Sequence, residues 1–440
     1  MINYLIAPVS LFFLGQLGKT ELAAGGLAIA IFHVAGVSIV VGLLSASETF
    51  FSQTFGGSNK FRLGIQVQRA AVILLICCFP CWAIYIIIEP ILLASKQPPL
   101  VAKGSALSQS LGYVMQAATV IAYIFISRLY RKTWDSVHVE LWHDWGLWFR
   151  LAIPGMLMSG LEWWVCESGS LVSGLRGEQA LAAQTIINNI ESVIYCTFPL
   201  GFGIASTIRI GQFLGANKAV GPRSTALVAL AMIAFTTVIN AFILTFARYQ
   251  IPRIFTNDRG VIEMVGQSLF SIVAFQFVDS IVGVASGIIR GVGMQQVGAI
   301  VCGVCMYLVG GPIGLCLLLL TDLSVAGFWW GLTAGMGLES IIYVILILKI
   351  DWNDMCTKAA KRTEIKFVHA VPGQREIEIK GLFPIFQFIK QKTSIVAKKA
   401  IDHFTVVTLI HCDPFCSHPF ALKLIQVFSK TKVENVVVHA

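Results

Sequence analysis

The sequence predicts an all-α polytopic membrane protein built as a two-lobe helical bundle. It has about ten spans, four in the first lobe and six in the second. Three observations predict it. Of the 440 residues, 56% are apolar and 12% are charged, where a soluble domain carries about 25% charge. Apolar runs of about 20 residues, the length that crosses a bilayer, recur along the chain. Basic residues gather in alternate loops between them, the ordinary mark of a cytoplasmic side. This composition excludes a disulfide-stapled secreted scaffold, a disordered chain and a soluble nucleic-acid binder.

The runs lie near 2–17, 23–48, 70–94, 105–127, 148–170, 182–206, 224–247, 265–288, 297–320 and 325–348. The loop at 52–69 carries Lys60, Arg62 and Arg69, and that at 128–147 carries Arg128, Arg131 and Lys132. The loop at 207–223 carries Arg209, Lys218 and Arg223, and the turn at 289–296 carries Arg290. The opposite loops hold Lys19, Lys96, Lys103, Arg176, Arg248, Arg253 and Arg259. The excess in the first set places it, and with it both termini, in the cytoplasm of a plasma-membrane protein.

After Lys349 the pattern changes. Lys358, Lys361, Arg362 and Lys366 open a basic stretch, and runs such as Phe404–Ile410 are too short to span. The division is therefore an N-lobe at 1–128, a cytoplasmic linker at 129–147, a C-lobe at 148–350 and a cytoplasmic non-membrane tail at 351–440. The tail's 13 Lys/Arg and 8 Asp/Glu supply +5 of the net charge of +9, so the basic balance does not point to nucleic acid. Of 11 cysteines, eight lie in apolar runs, where cysteine packs as a small apolar group. Cys302-Gly-Val-Cys305 is one such pair. The spacing of His411, Cys412, Cys416 and His418 permits a metal site, but the cluster is irregular. No metal or cofactor is expected.

An internal repeat organises the spans. Shifted by 159, Gly15 meets Gly174, Leu22-Ala23-Ala24 meets Leu181-Ala182-Ala183, Gly42 meets Gly201, Gln53 meets Gln212 and Gly56 meets Gly215. Both copies start on the same side, the parallel arrangement of many transporter halves. Matching Gly104-Ser105-Ala106-Leu107 to the last span, from Gly327, requires a shift of 223. The extra 64 residues equal about two helices with their loops. The first copy thus reads as lacking its fourth and fifth helices.

Ionisable residues inside spans are costly and point to function. They are Glu48, Glu162, Glu167, Glu191, Asp279 and Glu339. Desolvation disfavours a charged carboxylate, so such a group can hold a proton and can exchange it for an organic cation. Glu162 and Glu167 stand about 140° apart around their helix and do not share a narrow stripe. Trp163 and Trp164 adjoin Glu162, and tryptophan faces attract cations; the alternative is an interfacial anchor. Glu191 follows Asn188 and Asn189. Asp279 lies mid-span between Gln276 and Ser280, with a polar packing contact as the alternative, and Glu339 is mid-span. Glu48 reads equally well as a solvated helix end. Pro154 and Pro312 can break helices, as transporter sites do. No nucleophile constellation or phosphate loop points to an enzyme.

Several motifs together resemble the multidrug and toxic compound extrusion family, in particular its animal branch. They are Ser52-Gln53-Thr54-Phe55-Gly56, Cys77-Cys78-Phe79-Pro80-Cys81-Trp82, Leu151-Ala152-Ile153-Pro154-Gly155 and Leu161-Glu162-Trp163-Trp164. Ile208-Arg209-Ile210-Gly211, Gly291-Val292-Gly293 and Val297-Gly298-Ala299-Ile300 add to them. The resemblance implies twelve core helices in two lobes and export of organic cations and xenobiotics in exchange for protons or sodium, with the animal branch using protons. It implies transport roles for Glu162, Glu167 and Asp279, and for a polar or acidic residue near Glu191. Glu339 has no firm counterpart. The chain departs from the family in its late first helix, the gap near residue 100 and its tail. Two readings therefore stand: a proton-coupled exporter of organic cations in a lipid bilayer, or a truncated form that does not transport.

Overall fold

The computed structural model describes residues 6–18, 22, 26, 29, 33–57, 62–94 and 139–363. The span expected at 105–127, the first part of the linker, and the tail beyond 363 with its His411–His418 cluster lie outside these residues. All regular structure among the described residues is helical. The helices are α1 (Ile6–Leu17), α2 (Ser38–Gly56, entered through a π-turn at His33–Val37), α3 (Arg62–Ala94), α4 (Trp145–Ser173) and α5 (Glu178–Thr197). They continue with α6 (Pro199–Gly215), α7 (Val220–Phe246), the short α8 (Ile251–Phe255), α9 (Arg259–Val292) and α10 (Gln295–Val304). The last three are α11 (Gly311–Leu320), α12 (Ser324–Lys349) and α13 (Trp352–Thr363). Six segments among the described residues are long and apolar enough to cross a membrane: Arg62–Cys81, Glu178–Gly215, Val220–Phe246, Arg259–Val292, Gln295–Leu320 and Ser324–Lys349.

Where the helices depart from the apolar runs, a physical cause is visible. The single span expected at 182–206 is two helices. Pro199 cannot donate the bond that would prolong α5, and it opens α6 in the first turn, where a missing N–H costs nothing. The span at 297–320 is interrupted by a π-turn at Cys305–Gly310, just before Pro312, whose absent N–H frees a carbonyl in that turn. Pro154 instead lies within a continuous α4. The apolar run of the second span ends near residue 48, but α2 continues to Gly56. Its added turns carry Thr49, Ser52, Gln53 and Thr54, all buried, because they face other helices and not lipid.

The hydrophobic effect does little to hold helices together inside a bilayer; close backbone approach and interhelical hydrogen bonds do more. Close approach appears where α2 meets α6. A Cβ on Gly56 would overlap the Gln212 carbonyl, one on Gly215 the Gln53 carbonyl, and one on Gly211 the Ser52 hydroxyl. Under the offset of 159, Gly56 corresponds to Gly215, Gln53 to Gln212 and Ser52 to Gly211. Each contact maps onto its mate when the two copies are exchanged, the self-complementary pattern of an approximate two-fold axis. Apolar packing forms two clusters. Leu43, Phe50, Ile73, Trp148 and Leu151 form a small core between α2, α3 and the start of α4. A larger core joins Leu11, Leu22 and Ile29 to the helices of the second half and includes Phe275, Phe328 and Trp329.

The C-terminal ends of α2, α6 and α9 meet at one end of the molecule, as the charge alternation groups them. Thr49 Oγ1 donates to the Arg290 carbonyl at 2.7 Å, Gln53 Nε2 donates to the Gly291 carbonyl at 3.1 Å, and Gln295 Nε2 donates to Thr49 Oγ1 at 2.7 Å. Gly293 ends α9 in the left-handed region, at φ 83°, a conformation that favours glycine. Beyond α12, the first residues of the expected tail form α13, which buries Met355, Cys356 and Ala359 against α6 and α2. Arg362 closes this contact by donating to the Val292 carbonyl at 2.8 Å and the Gly293 carbonyl at 3.1 Å. Burial pulls its guanidinium below the ordinary arginine range. Arg362→Ala deprives two helix-end carbonyls of a charged donor worth about 1.5–3 kcal/mol. A lowered melting temperature of the purified protein is the expected result.

Candidate functional site

Four of the five carboxylates singled out in the C-lobe spans converge. Asp279 is on α9, 2% exposed. Glu339 on α12 is 1% exposed, and Glu162 on α4 is 8% exposed. Glu191, on α5, is half-buried. The field of Glu162 reaches Glu191, Asp279 and Glu339, and Asp279 also feels Glu191 and Glu339. Glu162 and Asp279 are each joined to the other three members of the group. The one cation whose field reaches Glu162 among the described residues is Arg290. Several carboxyl groups in one low-dielectric space cannot all carry charge unless protons or a cation join them.

The group is not satisfied internally. Oδ2 of Asp279 and Oε2 of Glu339 are buried and have no hydrogen-bond partner among the described residues. Gln276, one turn before Asp279 on the same face of α9, and Ser280, the next residue, are in the same state: both amide atoms of Gln276 and the Ser280 hydroxyl lack partners among the described residues. No hydrogen bond therefore joins Asp279 to Gln276 or Ser280. Tyr343 and Cys302 flank the Glu339 carboxyl, and the Tyr343 hydroxyl donates to the Gly298 carbonyl at 3.0 Å. Buried polar atoms without partners cost about 1–3 kcal/mol each, and a site that takes a ligand there recovers that cost.

Glu167 has its own hydrogen-bond partners, and its field also reaches Glu191. It receives Ser170 Oγ at 3.4 Å and Asn188 Nδ2 at 3.5 Å, and His33 Nδ1 stands 3.6 Å from its other oxygen. Trp163, one turn before Glu167, lies with its ring centroid 6.4 Å from that of His33. Trp164 donates its indole N–H to Ser38 Oγ at 3.0 Å, so its ring lies in the seam between α4 and α2. The two tryptophans adjacent to Glu162 in sequence therefore diverge from it in space. Glu48 is 3.6 Å from Arg290 and joins α2 to the end of α9.

Several site residues escaped the sequence reading. Arg290 counted as a loop charge, but it is 9% exposed, lies 3.6 Å from Glu48 and its field reaches Glu162. His33 could have been found as a histidine inside an apolar run. Gln184 and Asn188, four apart on α5, could have been found as a polar stripe with Glu191.

The sequence profile described as MatE matches residues 1–136 and 154–315. Multidrug and toxin extrusion protein 1 of Danio rerio is 33% identical, with 86% of this chain and 74% of that protein covered. The Homo sapiens protein of the same name is 32% identical, with 84% and 75% covered. Among solved structures, the eukaryotic MATE transporter AtDTX14 superposes with a TM-score of 0.74 at 21% identity, over 82% of this chain and 95% of that one. A mutant of the Vibrio cholerae MATE transporter VcmN superposes at 0.57 with 15% identity, over 82% and 95%. Because the profile matches most of the chain and the relatives align over most of their length, the chain belongs to the MatE family of multidrug and toxin extrusion transporters.

Proposed function

We propose that this chain is a secondary active transporter that exports organic cations and xenobiotics in exchange for protons. Glu162, Glu167, Glu191, Asp279 and Glu339 hold the proton or the cation, never both. Trp163 and Trp164 offer aromatic faces to the cation. The end at which α2, α6, α9 and α13 meet faces the cytoplasm of a plasma membrane, and both termini lie on that side.

The observation that carries this reading is the set of unpartnered buried oxygens on Asp279 and Glu339, electrostatically joined to Glu162. A proton on a carboxyl removes its need for a cation, and an organic cation displaces the proton. A gradient of one ligand therefore drives the other. The repeat arithmetic supports the second reading, a form that binds cations without turning over, because the first copy is 64 residues short of the second. The two lobes then fall at 1–128 and 148–350, joined by the linker at 129–147.

Uptake of a labelled organic cation into proteoliposomes tests this. Uptake driven by an outward proton gradient and lost in Glu162→Gln supports exchange. Correctly inserted protein that binds the cation but gives no uptake favours the second reading.

A further inference from the structure

Glu167 is reached by a chain of hydrogen bonds that starts on α12 and crosses α5. The Trp329 indole N–H donates to Gln184 Oε1 at 3.0 Å. Gln184 Nε2 donates to Asn188 Oδ1 at 3.0 Å. Asn188 Nδ2 donates to Ser170 Oγ at 2.8 Å and to Glu167 Oε2 at 3.5 Å. The Ser170 hydroxyl donates to the same carboxyl oxygen at 3.4 Å.

The direction of this chain is dictated by its first member. An indole N–H can only donate. It turns the Gln184 oxygen toward Trp329 and the Gln184 NH2 toward Asn188. That in turn points the Asn188 NH2 at Glu167. Trp329 and Gln184 are both 0% exposed, so water does not compete for these bonds and each polarises the next. Trp329 is itself clamped by Phe275, with ring centroids 4.9 Å apart and planes at 78°, one turn from Asp279 on α9.

We infer that Trp329, Gln184 and Asn188 are positioning residues for Glu167, aiming N–H groups at its carboxyl so that it meets its ligand in one orientation. The inference rests on the proposed role of Glu167 in exchange. It also ties that carboxyl to the placement of α12, so a shift of α12 against α5 alters the donors Glu167 receives. The other titratable groups around it are His33 at the entry to α2, Cys166 on its own helix and Glu191 on α5.

Gln184→Glu separates position from volume. The side chain keeps its size and still accepts from Trp329. Its new oxygen faces Asn188 Oδ1, so the Asn188 amide turns over and presents an oxygen to Glu167. Binding of labelled tetraethylammonium to the purified full chain in lipid nanodiscs, across the neutral pH range, reads the effect. Wild type, Glu167→Gln, Gln184→Glu, Asn188→Leu and Trp329→Phe are compared, with melting temperatures alongside. Gln184→Glu and Asn188→Leu are expected to bind about tenfold more weakly, the worth of one charge-assisted hydrogen bond, and with a displaced pH profile. Trp329→Phe, which keeps the ring and removes the donor, moves the profile in the same way and stands in for Gln184→Glu if that variant does not fold. Wild-type affinity and pH profile in these variants, with Glu167→Gln impaired, overturn the inference alone. Absence of binding in wild type, or unimpaired binding in Glu167→Gln, overturns the proposed role of Glu167 and the inference with it.

Discussion

Asp279→Asn is expected to lower gradient-driven uptake by about two orders of magnitude. The carboxyl is 2% exposed and one of its oxygens has no partner among the described residues. Asparagine has nearly the same shape, so the packing of α9 survives. What is lost is the negative charge that an organic cation pairs with in a dry site. Removing one member of a buried charge pair costs about 2–5 kcal/mol, and about 2.7 kcal/mol corresponds to a hundredfold. One of the five proposed proton-binding carboxyls is lost with it, so the residual uptake depends less steeply on the pH gradient. The check is initial uptake rate against gradient size in proteoliposomes, for wild type and variant at equal protein density. A variant that keeps its rate and its gradient dependence would show that Asp279 is only a buried polar residue.

The second large effect is structural. Gly56→Leu and Gly215→Leu are expected to be nearly equal in damage, each lowering the yield of folded protein severely. A Cβ at either position overlaps a backbone carbonyl, that of Gln212 in one case and of Gln53 in the other. Backbone cannot step aside as a flexible side chain can. Overpacking of this kind costs about 1–3 kcal/mol or more, and the helices must separate where Gln53 also bonds the Gly291 carbonyl. The equality follows from the two-fold relation between the contacts. Gly201→Leu is the control: no atom lies within 4 Å of a Cβ there, and it is expected to fold normally. Fluorescence-detected size exclusion of the three variants reads the outcome. Damage confined to one of Gly56 and Gly215 would argue against the two-fold contact.

Much of this architecture could be read from the residues, for a definite reason. A bilayer demands long apolar runs, so spans stand out in composition, and α7, α9 and α12 fall close to their apolar runs. The repeat was visible through Gln53, Gly56, Gln212 and Gly215 because those residues sit where two backbones touch. Helix ends were less legible. Ser52 and Gln53 look like a loop beside an apolar run, and only their burial against α6 and α9 makes them helical. The break at Phe198–Pro199 had a signal in the proline, but the long apolar stretch around it masked that signal.

The acids of the site were legible because a carboxylate inside an apolar run is conspicuous. Their grouping was not. Glu162, Glu191, Asp279 and Glu339 lie on four helices, and only packing brings them together. The tryptophans show the opposite hazard. Trp163 and Trp164 adjoin Glu162 in sequence, yet successive residues of a helix point about 100° apart, so adjacency in the chain implied a neighbourhood that the helix does not make. Neutral partners such as Gln184, Asn188 and Gln276 carry no charge to mark them, and their importance lies in what they donate to.

The most direct test of the central claim measures the proton and not the cation. Proteoliposomes holding a pH-sensitive dye are given external tetraethylammonium with no initial pH gradient. Exchange predicts that cation entering the lumen expels protons, so the luminal pH rises in wild type, and that it does not rise in Asp279→Asn. Cation uptake with no change in luminal pH would contradict proton exchange.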